Sequence, residues 1–361
     1  MLRLEKRPNP SKFWIYGTPF LAVVLTMIAG GIMFALLGKD PFAAIKLIFF
    51  DPLFNADVAS YSRPQLLVKA GPLVLIAVGL SLGFRAGVWN IGAEGQYIMG
   101  AIAGAAVGLA LYPTESRWVF PLMIVGGAAG GFLWAMIPAI LKTRFRTSEI
   151  LVSLLLVYVA KQILASAALS FLKNPEGAGF PGSRNLAQIP AMANGELLPG
   201  TGLHWGGVAA IVAVGAAYVL LQRHILGFQI KLAGQAPRAA RFAGVNPDWL
   251  VVMCMGLSGA LAGLAGLFEV TGPAGQITID FGVGYGFTAI IVAFLGRLNP
   301  LGILFAGLLM ALTYIGGELA QFMLGLPAAA IQAFQGMLLF FLLAVDLLSN
   351  YRIRLVGMGA K

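Results

Sequence analysis

Few side chains in this sequence can do acid–base, covalent or metal chemistry, and their spacing narrows what that chemistry is. Lys161, Glu269, Asp280, Glu318 and Asp346 are the ionisable groups that fall within or near long apolar runs. Such groups are costly in hydrocarbon and mark function when they face a polar interior. Glu269 and Asp280 bracket a Gly/Pro-rich turn, and Glu318 and Asp346 lie near run ends, so each reads as interfacial. Lys161, a third of the way into its run with Gln162 beside it, is the group expected to face a polar interior. No carboxylate pair stands at helical spacing and no histidine lies inside an apolar run, which argues against a proton relay.

Enzyme signatures are missing too. His204 and His224 are the only histidines, each in a loop without the His/Cys/Asp spacing of a metal site. Lys142-Thr143 lacks the glycine of a GxxxxGK[ST] phosphate loop, and GVGYG at 282–286 lacks dinucleotide-binding spacing. The single cysteine, Cys254, sits in an apolar run and cannot form an internal disulfide. No catalytic residue, cofactor or metal is expected. If nucleotide hydrolysis drives this protein, another chain performs it.

The elements that must position these residues are membrane spans. The chain has 361 residues, 59% hydrophobic and 11% charged, with mean hydropathy +0.87. A soluble domain carries roughly 25% charged residues, so a single soluble core is excluded. The 47 glycines favour close helix packing over a β-barrel. The fold class is therefore all-α and polytopic. At about 20 apolar residues per crossing, ten spans fall near 13–38, 65–83, 91–111, 118–141, 150–172, 206–222, 250–268, 282–296, 301–320 and 331–348. The eighth is short for a crossing. The apolar run after the basic N-terminus is too long for a signal peptide and reads as a retained first span. Five spans in each half would give two halves of inverted orientation, a reading that rests on span counting alone.

Charge sets the orientation. With the N-terminus inside, the cytoplasmic pieces are 1–12, 84–90, 142–149, 223–249, 297–300 and 349–361. They hold 16 of the 24 lysines and arginines. Basic residues collect on the cytoplasmic side, so both termini are expected there, within one membrane domain covering 1–361. The net charge of +10 then reads as basic loops, with no sustained basic face for nucleic acid. The external connection 173–205, with four prolines and no apolar periodicity, is either a linker or a surface for an outside partner.

Three segments stand out. Gly100, Gly104 and Gly108, Gly126/Gly130, Gly127/Gly131 and Gly259/Gly263 recur at the four-residue spacing that lets helices approach in lipid. Ser81 to Gln96, SLGFRAGVWNIGAEGQ, breaks with glycines between two apolar runs. Asn90 reads as a helix N-cap and Glu94 as a first-turn carboxylate. Alternatively the irregular segment, with Asn90, Glu94 and Gln96, lines a pathway or meets a motor, since such backbone is tolerated only inside protein or beside water. Finally, Arg223 to Trp249 is a polar connection with four basic residues and one acid. Its middle, QAPRAARFAG, predicts a short helix that starts at Gln235, tolerates Pro237 in its first turn and stops at Gly244. A small basic helix outside the bilayer implies something that it docks on.

SLGFRAGVWNIGAEGQYIMGA (81–101), GQAPRAARFAGVNP (234–247) and GYGFTAIIVAFLGRLNPLG (284–302) together resemble the inner-membrane permeases of bacterial ATP-binding-cassette (ABC) importers. The resemblance is to the simple-sugar and nucleoside branch, related to the ribose and branched-chain amino acid permeases, and covers the chain from about residue 65. It implies a cytoplasmic ATPase dimer, a second permease subunit, and an external solute-binding protein or lipoprotein that supplies selectivity. Nucleoside-type systems pair two different permeases, so a heterodimer is implied over a homodimer. The ATPase-coupling helix would fall on Gln235, Ala236, Pro237, Arg238, Ala239, Ala240, Arg241, Phe242 and Gly244. NIGAEGQ at 90–96 would stand near the cytoplasmic gate, and the solute would be a nucleoside or related sugar-containing molecule. The alternative is an ATP-independent secondary transporter or channel, which gains nothing from a small basic helix in the cytosol.

Overall fold

The computed structural model describes residues 2–6 and 12–355. Part of the basic terminal charge, on residues 7–11 and 356–361, lies outside the described residues, as does the side chain of Asp346. The described residues are helical almost throughout. In chain order they form β1 (Leu2–Lys6), α1 (Lys12–Leu36), α2 (Pro41–Phe49), α3 (Asp51–Phe54), α4 (Ala56–Arg85), α5 (Ala93–Ala110), α6 (Val119–Phe145) and α7 (Glu149–Leu169). A 3-10 turn (Leu186–Gln188), β2 (Glu196–Leu198) and β3 (Leu203–His204) lead to α8 (Trp205–Gln222), α9 (Ile225–Gln235) and α10 (Pro237–Phe242). The chain then runs through α11 (Pro247–Thr271), α12 (Tyr285–Leu295), α13 (Pro300–Leu324), α14 (Ala328–Asn350) and β4 (Tyr351–Leu355).

Local chemistry sets several helix starts. Ser148 accepts the Leu151 N–H to open α7, and Asn246 accepts from Asp248 and Trp249 to open α11 behind Pro247. Each side-chain oxygen satisfies a backbone donor that the first turn leaves orphaned.

Among the described residues eight helices are long and apolar enough to cross a membrane: α1, α4, α6, α7, α8, α11, α13 and α14. The chain is thus a multi-pass, all-α membrane protein. The other two expected spans differ. α5 has 18 residues and starts on the polar Glu94 and Gln96. α12 has only 11 residues, about 16 Å of helix against a hydrocarbon core of about 30 Å. The eighth span is therefore corrected to a helix too short to cross by itself. α4 has 30 residues, beginning well before the expected 65 and carrying Pro64 and Pro72 within it.

Contacts divide the chain into two units, Met1–Ser62 with Leu312–Lys361, and Arg63–Ala311. In the first, β1 pairs antiparallel with β4, Leu2 opposite Leu355 and Lys6 opposite Tyr351. α1 leaves that ribbon and α14 returns to it, packing through Phe34 and Phe334, whose rings stack 5.7 Å apart. Both described chain ends therefore lie at one end of this unit.

In the second unit α5, α6 and α11 form a glycine seam. A Cβ at Gly100 would collide with the Gly263 backbone, and one at Gly131 with the backbones of Gly259 and Gly263. The four-residue glycine spacing is thus a three-helix contact, with backbones touching where side chains would hold them apart.

Candidate functional site

One end of the second unit gathers its basic residues. Lys142 pairs with Glu149 across the α6–α7 turn. Arg146 holds Asp248 at 3.0 Å, with its second nitrogen 3.4 Å from the other oxygen. Arg241 approaches Asp248 at 3.5 Å, and Arg85 Nε donates to the Leu298 carbonyl at 3.0 Å. We call this the basic end.

α10 is mounted there. Its start differs from the sequence reading: Gln235 is the last residue of α9, and the break falls at Ala236, whose φ of −145° and ψ of 70° leave the helical region, which the proline after it disfavours. α9 itself, capped by the His224 ring accepting the Leu226 N–H, had no separate signal. Gly244, at φ +77°, ends the helical segment as expected. Ala240 is buried and seats α10, while Arg238, Ala239, Arg241 and Ala243 are exposed. Phe242 is 95% exposed. Beside it a cleft of about 390 Å³ is lined by Lys142, Arg146, Arg238, Arg241 and Asp248, among others.

α9, which leads into α10, packs against the irregular segment ahead of α5. Gly87, at φ +74°, backs onto Gly234 in the last turn of α9, and a Cβ on Gly234 would collide with the Arg85 carbonyl. From there residues 88–92 run alongside α7. The Trp89 N–H donates to Glu149 and the Ile91 N–H to Ser153. α5 thus begins at least one turn of α7, about 6 Å, in from the basic end. Trp89 stacks on Phe294 at 5.6 Å and meets Phe84 tilted at 5.2 Å, while Phe84 and Phe294 stack on each other at 5.1 Å.

Asn90, Glu94 and Gln96 are all fully buried. Asn90 is not the N-cap expected for α5; Gly92 holds that position. The Asn90 carbonyl oxygen accepts the Gly92 N–H at 3.1 Å, and its amide pairs reciprocally with Gln96 at 2.8 and 3.0 Å. It also donates to Ser258 on α11 at 3.0 Å. Glu94 faces elsewhere. Its two oxygens accept the N–H groups of Gly284 and Gly286, each at 2.7 Å. These belong to the start of α12, so one carboxylate lies between two helix N-termini, the favourable place for an anion. Lys161, exposed on α7, is near enough for its charge to act on Glu94. The four residues named from sequence thus split: Asn90 and Gln96 form a buried pair, Glu94 is buried against the α12 start, and Lys161 is exposed on the surface of this chain.

The opposite end is built from 173–205. This segment is an ordered structure seated on 271–277, in place of a free linker. The Ser183 N–H donates to the Ile277 carbonyl at 2.9 Å, Leu186 to Gly275 at 2.6 Å and Asn194 to Thr271 at 2.9 Å. The Ile277 N–H returns to Ser183 Oγ at 2.9 Å. Arg184 clasps Glu176 at 2.9 and 3.0 Å, lowering that carboxyl below its ordinary range, and lies over the Tyr112 ring. Beneath the loop a cavity of about 390 Å³ is lined in part by Gln65, Asn194, Glu196 and His204. Among the described residues no group of three His, Cys, Asp or Glu could hold a metal ion.

Sequence reasoning missed Gly284, Gly286, Ser153, Ser258 and the Gly87–Gly234 contact. The glycines of GVGYG were visible, but nothing in the sequence pairs residue 94 with one 190 positions away.

With this geometry in hand, the comparisons are informative. The family profile for the branched-chain amino acid transport system permease component matches residues 63–343. The chain is 34% identical to the glucose ABC transporter permease protein TsgB13 of Haloferax volcanii, covering 98% of this chain and 93% of that one. It is 26% identical to the guanosine ABC transporter permease protein NupP of Bacillus subtilis, over 94% of both chains. It is 27% identical to the nucleoside ABC transporter permease protein NupB of Lactococcus lactis, over 90% and 89%. No solved structure matches the chain.

Proposed function

The chain belongs to the branched-chain amino acid transport system permease family, and on that premise we propose how its two ends serve an ABC importer. It is a permease subunit, with no catalytic residues of its own, in the cell inner membrane. ATP is hydrolysed on a separate cytoplasmic ATPase dimer, which docks at the basic end. An external binding protein or lipoprotein delivers solute to 173–205, and a second permease completes the pathway, a non-identical one by analogy with nucleoside systems. N- and C-termini are cytoplasmic. The solute is a nucleoside or related sugar: relatives named for glucose, guanosine and nucleosides share a sugar ring. The cavity under the outer loop offers amide, carboxylate and imidazole groups that suit hydroxyls.

The observation that carries this reading is α10. A phenylalanine 95% exposed at the end of a six-residue helix, after Arg238 and Arg241, is poorly placed in water and well placed as an anchor in a partner's groove. The two arginines add forked donors for carboxylates. α10 is tied by Gly234 to the segment carrying Asn90, Glu94 and Gln96, which act as a gate closed in this structure. Rigid-body motion of α10 on ATP-driven ATPase closure would move that segment.

The test is co-purification from native membranes. Because Arg241 already contacts Asp248, its reversal disturbs this chain as well as the docking face. The better variants are Phe242→Asp and Arg238→Glu. The ATPase is expected to accompany wild type and to be lost from both, with membrane insertion unchanged. A chain that purifies alone and transports in liposomes without ATP would be a secondary carrier.

A further inference from the structure

Two stretches of irregular backbone enter the second unit from opposite ends. Residues 86–92 come in from the basic end and become α5; residues 272–284 come in from the other end and become α12. The two helices run in opposite directions from a common level, and their first turns meet. Glu94 joins them through 2.7 Å hydrogen bonds to the N-cap and second residue of α12. A Cβ at Gly286 would collide with the Glu94 backbone, so nothing separates the two starts.

Each stretch is hooked at its far end to a segment that faces a partner. The inner one is pressed against Gly234, three residues before Pro237 opens α10. The outer one is hydrogen-bonded along 271–277 to residues 183–194 of the external loop. A continuous series of backbone contacts therefore leads from the external loop, through the α12 start, Glu94, the α5 start and Gly87–Gly234, to α10. Glu94 closes it in the middle with hydrogen bonds, beside Tyr97, whose ring stacks on Phe281 at 5.2 Å and meets Tyr285 edge-on at 6.0 Å.

We propose that Glu94 is a positioning residue that couples the two faces: its carboxylate ties the outer and inner broken segments, so that docking on the external loop is felt at the ATPase-coupling helix. The proposal rests on α10 being where the ATPase docks. Spatial continuity alone does not prove coupling, so the test reads coupling directly.

The native complex is purified in nanodiscs, and ATP hydrolysis is measured with and without its binding protein, loaded with guanosine and in parallel with glucose. The readout is the ratio of stimulated to unstimulated rate. In Glu94→Gln the side chain offers one acceptor and an NH₂ where two acceptors stood. Losing a charged hydrogen bond of this kind is worth about tenfold or more, so the ratio is expected to collapse toward one while the ATPase still co-purifies. Ser183→Ala, a buried position that leaves the docking surface in place, removes the acceptor for the Ile277 N–H and should lower the ratio too. Residues acting in one series are non-additive, so the double variant should be no worse than Glu94→Gln.

A wild-type ratio in Glu94→Gln overturns the proposal, as does an additive loss in the double variant. If Glu94→Gln does not assemble, Ser183→Ala decides, an unchanged ratio counting against the tie. Failure of wild type to retain an ATPase is a different result, and removes the coupling reading of α10 itself.

Discussion

At the scale of single residues, the cluster we propose as a gate is a matter of satisfied polar atoms in a buried place. Asn90 and Gln96 each meet the other's amide, and Asn90 adds Gly92 and Ser258. A buried polar group that loses its partner costs about 1–3 kcal/mol, whereas removing both partners together costs far less. Asn90→Ala, which orphans the Gln96 amide and the Gly92 N–H, should therefore lower the thermal midpoint of the purified complex by several degrees. Pairing Asn90→Leu with Gln96→Met should recover part of the loss. Tryptophan fluorescence during heating would follow it; no shift in the single variant would mean that water reaches these amides and the gate is open. This chemistry was half legible. The polar cluster stood out between apolar runs, yet an N-cap and a first-turn carboxylate were the local readings, and both long-range partners, Ser258 and the α12 start, needed the fold.

At the scale of elements, span length and glycine spacing carried most of the information. Runs of about 20 apolar residues have one stable solution in lipid, because every backbone group must be paired within the segment. What length does not report is where a helix starts relative to the bilayer. α5 reads as an ordinary span and α12 as a short one, and only their packing shows that both begin inside the protein. In the ten-span reading they stand third in each set of five, and interrupted segments at corresponding positions are where inverted-repeat carriers place their pathway. The glycine seam was visible as spacing, but its partners were not. Gly263 touches the backbones of Gly127 and Gly131, so Gly263→Leu must push α6 away from α11 and should abolish recovery of assembled complex. Gly215, on α8, has nothing within 4 Å of an added Cβ, and Gly215→Leu should leave recovery at the wild-type level. Equal recovery of the two on size-exclusion chromatography would mean that the seam does not hold this unit together.

At the scale of the whole molecule, orientation is the claim on which the others depend. The bias of 16 of 24 basic residues toward one set of connections fits the structure. Arg85, Lys142, Arg146, Arg241 and the Arg297 turn gather at one end of the second unit. Arg184, clasped by Glu176, belongs to the loop seated on 271–277. On the positive-inside rule we propose that α10 lies in the cytosol and 173–205 outside. The chain supplies its own background for testing this. Its sole cysteine, Cys254, is buried in the α11 packing and will not meet a charged thiol reagent. A cysteine at Phe180, 78% exposed in the external loop, should react with a membrane-impermeant maleimide added to intact cells. A cysteine at Ala243, exposed just past α10, should react only after the membrane is opened. The reverse pattern would put α10 outside, where no ATPase can reach it. Both the coupling role of Arg238 and Phe242 and the relay through Glu94 would then fall together, since each requires the basic end to face the nucleotide.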